Sequence, residues 1–351
     1  MKPPTLLDLA KELNLSTSTI SRAITRPSVV KPATRERILA AIEKVGFSPN
    51  GVARSLRKRE TKTVGIIVPD ITNWFFGVIV RAISGVVGPH GYTIVVFDAN
   101  EDSEAESKAL QSLRERQVSG IIRCPVGGKN DSWKAAIASG APVVELDRRS
   151  GLRNIDTVLI DDDQAGRIAA ECLIALGHRR IGTITGPQHL SNARGRLRGF
   201  LKALSKASIT LAPELIEHGD FRESSGYIGA ERLMSLRARP TAIFISNSEM
   251  TGGAIAAIRE LKIRIPKDLS LIGFDDARWA RYLDPPLTTI SHPTPELGRC
   301  AAELLLDRLT KVKSHRKSRV IKFEPELIVR GSTAPLRASA QKHSEKKRRL
   351  C

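Results

Sequence analysis

Residues 6–24 read LLDLAKELNLSTSTISRAI, and the periodicity of this stretch decides what the front of the chain is. Thr5-Leu6-Leu7-Asp8 has the spacing of a capping box, in which Thr5 accepts from a first-turn amide and Asp8 reaches back, so a helix is expected to start there. Leu6, Leu9, Ala10 and Leu13 recur at helical spacing, and Asn14 tolerates the left-handed backbone that ends a helix. Ser16 then caps a second short helix, whose Ile20, Ala23 and Ile24 face the first. The pattern is helix-turn-helix. Pro32 suits the first turn of a third helix with Ile38, Ala41, Ile42 and Val45 as its buried stripe and Gly46 as its stop.

The outward positions of the second helix are Thr17, Ser18, Ser21 and Arg22, which all form hydrogen bonds and include no acid. Such a helix fits the major groove, where an arginine bonded to guanine O6 and N7 discriminates by about 1–3 kcal/mol. A small helical bundle with a polar surface is the alternative. Beyond Pro49, Asn50 is placed to cap a short segment in which Ala53 and Leu56 share an apolar face flanked by Arg54, Arg57 and Lys58. Too short to hold itself as a helix, this segment suits a minor groove opened by an apolar wedge. An ordinary basic linker explains the charges but not Leu56.

Charge supports a polyanion partner. The 351 residues carry a net +19, yet residues 63–310 hold 30 Lys/Arg against 29 Asp/Glu. Residues 1–62 hold 13 against 5, residues 311–322 hold six and no acid, and residues 337–351 hold six against one. Basic extremities on a neutral body are what counterion release from phosphates rewards, with a merely solvated tail as the alternative for 337–351.

With these features in place, the chain resembles the lac repressor family of bacterial transcriptional regulators as far as about Thr333. LLDLAKELNLSTSTISRAI, TRERILAAIEKVGFSPN and ARSL carry the resemblance. It implies a helix-turn-helix headpiece over 1–49, a hinge over 50–62, and a two-lobed, periplasmic-binding-protein-like α/β core over 63–333. Lobe 1 is expected over 63–161 and 291–322, lobe 2 over 162–290 and 323–333, and a basic tail over 334–351. The resemblance also implies base contacts by Thr17, Ser18 and Arg22, operator opening by Leu56, and a homodimer on operator DNA. Asn14 departs from the family's glycine and Lys31 from its serine.

From Thr63 the period changes to short β-branched runs, Val64–Val68, Thr93–Phe97, Gly120–Arg123 and Val143–Leu146, and then Ile181–Thr185, Ala242–Ser246 and Leu269–Gly273. Helices such as Arg196–Lys206 and Ser225–Leu236 separate the second series, which is a parallel α/β layout in two lobes. Ligands sit beyond the carboxyl ends of such strands, and there stand Asp147, Asn247 and Asp275-Asp276. With a guanidinium they satisfy a ligand rich in hydroxyls, so a small sugar-like effector is expected, a nucleoside or nucleobase being the alternative. By resemblance NARGRLRGF supplies Arg196 as anchor and GDFRESSGY supplies Phe221 as a stacking wall. ITNWFF carries Trp74 where the family commonly has proline, and Phe75 beside it. Trp74 stacks on the ligand or fills a lobe core. Ser248 stands where an aspartate is usual.

Rival classes fit less well. No GxGxxG follows a strand, no GxxxxGK[ST] or GxSxG is present, and the seven histidines form no HExxH, so an enzyme is not expected. Cys124, Cys172, Cys300 and Cys351 are too dispersed for a metal site or disulfide framework, and no cofactor or metal is expected. A stand-alone exported sugar receptor is opposed by the basic front and the lack of a visible signal segment. Apolar runs of four or five residues fall far short of the roughly 20 that cross a bilayer, so no membrane partner is expected and the location is read as cytoplasmic, on the nucleoid.

Overall fold

The computed structural model describes residues 4–25, 27–46, 61–310 and 317–336. The chain divides into two compact units, Met1–Thr61 and Lys62–Cys351. The first holds α1 (Leu6–Leu13), α2 (Thr17–Thr25) and α3 (Pro32–Val45). Thr5 Oγ1 accepts from the Asp8 amide at 3.3 Å while Asp8 accepts from the Thr5 amide at 2.9 Å, closing the capping box. Asn14 at φ 51° and Gly46 at φ 63° end α1 and α3 in the left-handed region. Ser16 Oγ accepts from the Thr19 amide at 3.1 Å, so only three residues separate α1 from α2. Leu9, Ile20 and Ile38, one from each helix, are fully buried, with Ala10, Ala23 and Ala41 buried around them. At about 1.5–3 kcal/mol per buried large side chain, this small core is what holds the three short helices.

The second unit runs β1 (Thr63–Val68), α4 (Trp74–Val87), β2 (Thr93–Asp98), α5 (Ser103–Glu115), β3 (Gly120–Arg123), α6 (Asp131–Ala138), β4 (Val143–Leu146) and β5 (Asp156–Ile160). Then come α7 (Asp162–Ala175), β6 (Ile181–Thr185), α8 (Ser191–Lys206), β7 (Ile216–His218), α9 (Glu223–Ser235), β8 (Ala242–Ile245), α10 (Ser248–Glu260), β9 (Ser270–Phe274) and β10 (Thr288–Ser291). It closes with α11 (Thr294–Thr310), β11 (Val320–Phe323) and β12 (Glu326–Ile328).

Two six-stranded sheets result, ordered β11-β5-β4-β3-β1-β2 and β12-β10-β9-β8-β6-β7. All pairings are parallel except β10 with β12, so the sheets are parallel as expected apart from one antiparallel edge. The chain passes between lobes after β5, after β10 and again between β11 and β12. Each lobe buries its own core, Ile66, Val144 and Val158 of one sheet against Ile79 and Leu305, and Ile243 and Leu271 of the other against Ile258 and Leu233. In the second lobe α7 and α8 touch backbone to backbone: a Cβ at Gly166 would lie 1.9 Å from Arg196 O, and one at Gly199 1.9 Å from Asp163 O.

Several boundaries differ from the sequence expectation by one or two residues, and two of the differences bear on the site. The strand expected over Leu269–Gly273 is displaced by one residue, because Asp275 and not Phe274 takes the left-handed turn. The helix expected over Arg196–Lys206 begins earlier, at Ser191, and carries an exposed Arg194 and a buried Arg196 on different sides.

Candidate functional site

On the first unit, Thr17, Ser18 and Arg22 are exposed on the outer side of α2 and Ser21 is half-buried. Ile20 and Ala23 lie on the opposite, buried side, so the 3.6-residue period alone separates the anchoring positions from the outward ones. Arg22 rests on Ser18 Oγ at 3.4 Å, and Ser18 in turn on Ser16 Oγ at 2.8 Å. This is a row of donors and acceptors running from the cap of a short helix to its last turn. Asn50, Ala53, Arg54 and Leu56 lie outside the described residues.

On the second unit, Phe75, Asp147, Arg196, Phe221, Asn247 and Asp275 line one cavity. Trp74 is not among its walls. Asn73 Oδ1 caps α4 by accepting from the Phe75 amide at 3.0 Å, and this first turn presents Phe75 and Phe76 to the cavity while the half-buried indole between the cap and Phe75 stays outside the lining. The exposed Arg194 also stays out, its guanidinium bonded to the Gln188 and His189 carbonyls. Asp276 is taken by Arg330 at 2.7 and 2.9 Å.

Several lining residues were not read from the sequence: Asp70, Phe76, Glu101, Arg148, Asn192 and Arg222. The strand-end rule that pointed to Asp147 and Asp275 also covers the residues after β1 and β2, which are Asp70 and Glu101. Arg148 follows Asp147 directly.

The charges neutralise one another. Arg148 donates to both oxygens of Glu101 at 2.7 Å, the fork geometry that makes arginine–carboxylate pairs strong. Arg196 gives Nε to Asp162 at 2.8 Å and Nη1 to the Ser246 carbonyl at 2.6 Å, and its guanidinium stacks 3.6 Å over the Phe274 ring. Asp147 accepts from Asn192 Nδ2 at 2.9 Å. Asn247 caps α10 through the Met250 amide at 2.8 Å and donates to the Phe221 carbonyl at 3.1 Å. Burial pushes the Asp275 carboxyl up, but the His292 hydrogen bond, the His292 charge and Arg196 together hold it below the usual range. Asp162, desolvated and close to Asp147, is raised to about 7 even though Arg196 opposes the shift.

Glu101, Asp147, Phe221 and Asp275 all hold positive φ, between 55° and 70°. Such conformations cost non-glycine residues about 1–3 kcal/mol each and gather where strain serves a site. Here each turns a side chain from the carboxyl end of a strand into the same space. Asn192 to Asp147, Ser191 Oγ to the Arg149 amide at 2.8 Å, and Arg222 to Asn100 at 3.1 and 3.2 Å link one lobe to the other. The cavity between them is about 30 Å³, enough for water but not for a sugar ring. Among the described residues no cluster of ligating side chains could hold a metal ion, and no helix is long and apolar enough to cross a membrane.

Comparison with known proteins matches residues 5–50 to the lacI family of bacterial regulatory proteins and residues 170–333 to a periplasmic binding protein-like domain. The chain is 36% identical over 334 residues to the HTH-type transcriptional repressor PurR of Edwardsiella ictaluri (strain 93-146), covering 94% of this chain and 97% of that one. It is 34% identical over 333 residues to the ribose operon repressor of Haemophilus influenzae, covering 95% and 99%. The lac repressor dimer bound to operator and the anti-inducer ONPF superposes with a TM-score of 0.83 at 28% identity, covering 95% of this chain and all of that one. With relatives of that identity aligned along nearly its whole length, the chain belongs to the lacI family of bacterial regulatory proteins, which are DNA-binding regulators and not enzymes.

Proposed function

We propose that the protein is a cytoplasmic repressor that holds operator DNA as a homodimer, reading bases with Thr17, Ser18, Ser21 and Arg22, and that a small neutral sugar in the interlobe cavity controls its grip. Asn50, Ala53, Arg54 and Leu56 are assigned to the minor groove. The two-fold dimer presents two headpieces to a near-palindromic site. The ligand is assigned to Phe75, Asp147, Arg196, Phe221, Asn247 and Asp275.

One observation carries the ligand class: Arg148, Arg196 and Arg222 each bond an acceptor within the protein and are offset by the carboxylates of Asp70, Glu101, Asp147 and Asp275 in the same lining. A lining whose cations are already offset by carboxylates favours hydroxyl donors over phosphate or carboxylate ligands. The rings of Phe75, Phe76 and Phe221 suit the apolar face of a sugar, and equally a base, which keeps nucleosides as the second reading. Ligand that favours one lobe arrangement over another shifts the DNA-binding equilibrium, with coupling typically of about 1–3 kcal/mol.

The test is a thermal-shift screen across neutral sugars, sugar acids, nucleosides and nucleobases. A ligand at 100 times its Kd stabilises by about 2.7 kcal/mol, so a neutral sugar should raise the melting temperature and change operator affinity, and Arg196→Ala should abolish both effects. A response confined to sugar acids, or to bases, would replace the sugar reading.

A further inference from the structure

The parallel order β9-β8-β6 places three chain entries side by side at the pole of the second lobe opposite the cavity. Arg180 O accepts from the Thr241 amide at 2.8 Å and Thr241 O from the Ser270 amide at 3.0 Å, so the loops before β6, β8 and β9 form one surface. Those loops carry Arg179 and Arg180, Arg237 and Arg239, and Lys262, Arg264 and Lys267. Arg179, Arg237, Arg239, Lys262, Arg264 and Lys267 are exposed.

Acid is scarce there. Asp268 is held by Arg264 at 2.7 and 2.9 Å, and Glu214 faces Arg180 at 3.4 Å. Among the described residues no carboxylate bonds the other five cations. The body as a whole is balanced, at 30 basic against 29 acidic side chains over 63–310, so this surplus is a local concentration. The same pole is where the described chain leaves the lobe: the Leu336 amide donates to Leu176 O at 2.8 Å, and residues 337–351 add six Lys/Arg against one acid to the sequence that follows.

We propose that this pole, built on Arg179, Arg237, Arg239, Lys262 and Lys267, is a second polyanion surface that binds the phosphate backbone of duplex DNA without sequence preference. Neighbouring strands are about 4.8 Å apart, so three adjacent loops spread their cations over roughly 10 Å. Duplex DNA carries about six phosphates over that length. A protein partner is disfavoured because interfaces rely on buried aromatic and apolar anchors. The three loops expose one large apolar side chain, Leu261, and no aromatic one. Through this surface a regulator seated on its operator holds a second DNA segment at low salt.

The test is a two-duplex capture with the full chain. Protein is bound to an immobilised random-sequence duplex, and retention of a second, fluorescent random-sequence duplex is followed against salt. The wild type should retain the second duplex at low salt and release it steeply as salt rises. The variant carrying Arg179→Gln, Arg237→Gln, Arg239→Gln, Lys262→Gln and Lys267→Gln should retain about tenfold less, or lower still, while binding the first duplex as before. Arg237→Gln with Arg239→Gln alone should give an intermediate loss, and serves if the larger variant does not fold. Equal retention by folded variants, or no retention by the wild type, overturns the proposal. So does loss of poly-glutamate binding by the variants with DNA retention unchanged, since the partner would then be an acidic protein.

Discussion

His292 Nε2 donates to Asp275 Oδ1 at 2.7 Å, and its ring stands edge-on to Phe75 with centroids 5.4 Å apart. Asp275 follows β9 in the second lobe, Phe75 lies in the first turn of α4 in the first, and His292 lies in the segment that crosses between them. One imidazole thus fixes a cavity carboxylate from one lobe and an aromatic wall from the other. Thr294 Oγ1 at 3.2 Å from Nδ1 holds the ring at its far side.

Replacing His292 should therefore be felt at Asp275. His292→Ala leaves a buried carboxylate short of a donor, a loss of about 1–3 kcal/mol in urea unfolding. His292→Gln, which retains a donor, should recover most of it. Asp275 is held below its ordinary value, so its contribution is present above the unfolded carboxylate pKa and is lost as pH falls through the folded one. In His292→Ala the folded pKa rises, and the acid-unfolding midpoint should move to higher pH. An unmoved midpoint means that His292 does not hold the carboxylate.

Asp162 works in the opposite sense. Its folded pKa of about 7 lies above the unfolded value, so between about pH 4 and 7 the native state keeps a proton that the unfolded chain gives up. Stability should fall as pH rises through that window, with a slope of at most about 1.4 kcal/mol per pH unit from this group. Asp162→Asn still offers Arg196 Nε an acceptor and should flatten the profile relative to wild type. Glu106, also raised by burial, leaves a residual slope in both proteins. Parallel profiles for the two would contradict the assignment.

The contact of α7 with α8 sets the place of Arg196. Gly166→Ala directs a methyl at Arg196 O, 1.9 Å away, so α8 must shift. The expected loss is about 1–3 kcal/mol or more, together with weakened ligand response. Gly77 in α4 has nothing within 4 Å of a built Cβ, and Gly77→Ala there should instead add about 0.5–1 kcal/mol. Equal effects from the two, measured by chemical denaturation, would show that the close approach is not enforced.

How far the sequence revealed these features depended on how local each determinant is. The headpiece was legible because Thr5, Asn14, Ser16, Pro32 and Gly46 mark helix ends by their own chemistry. Strands rich in β-branched residues, such as Ile181–Thr185, were legible for the same reason. β7 and β12 have three residues each, and β10 reads Thr-Thr-Ile-Ser, so only pairing with a neighbour defines them. In the cavity, Asp147, Asn247 and Asp275 follow recognisable strands. Arg222, in contrast, reaches Asn100, 122 positions away, and His292 reaches Asp275 from the crossover just past β10, contacts that no local pattern encodes. Trp74 and Phe75 are adjacent in sequence, and only the Asn73 cap decides which of them faces the cavity.

Substituting Arg22 tests base reading against mere attraction. Its guanidinium is exposed in the last turn of α2, and among the described residues its side-chain hydrogen bond goes to the neutral Ser18 hydroxyl. A base pair read by arginine is discriminated by about 1–3 kcal/mol, roughly five- to 150-fold, whereas a lysine on phosphate contributes equally on every sequence. In selection from a random duplex pool, the wild type should enrich a near-palindromic motif. Arg22→Ala should flatten that motif at one position in each half-site while retaining salt-sensitive binding to all duplexes. Exposed Lys11→Ala should leave the motif intact and reduce the slope of log affinity against log salt by about one if it meets a phosphate. An unchanged motif in Arg22→Ala would remove α2 from the reading role, whatever the affinity.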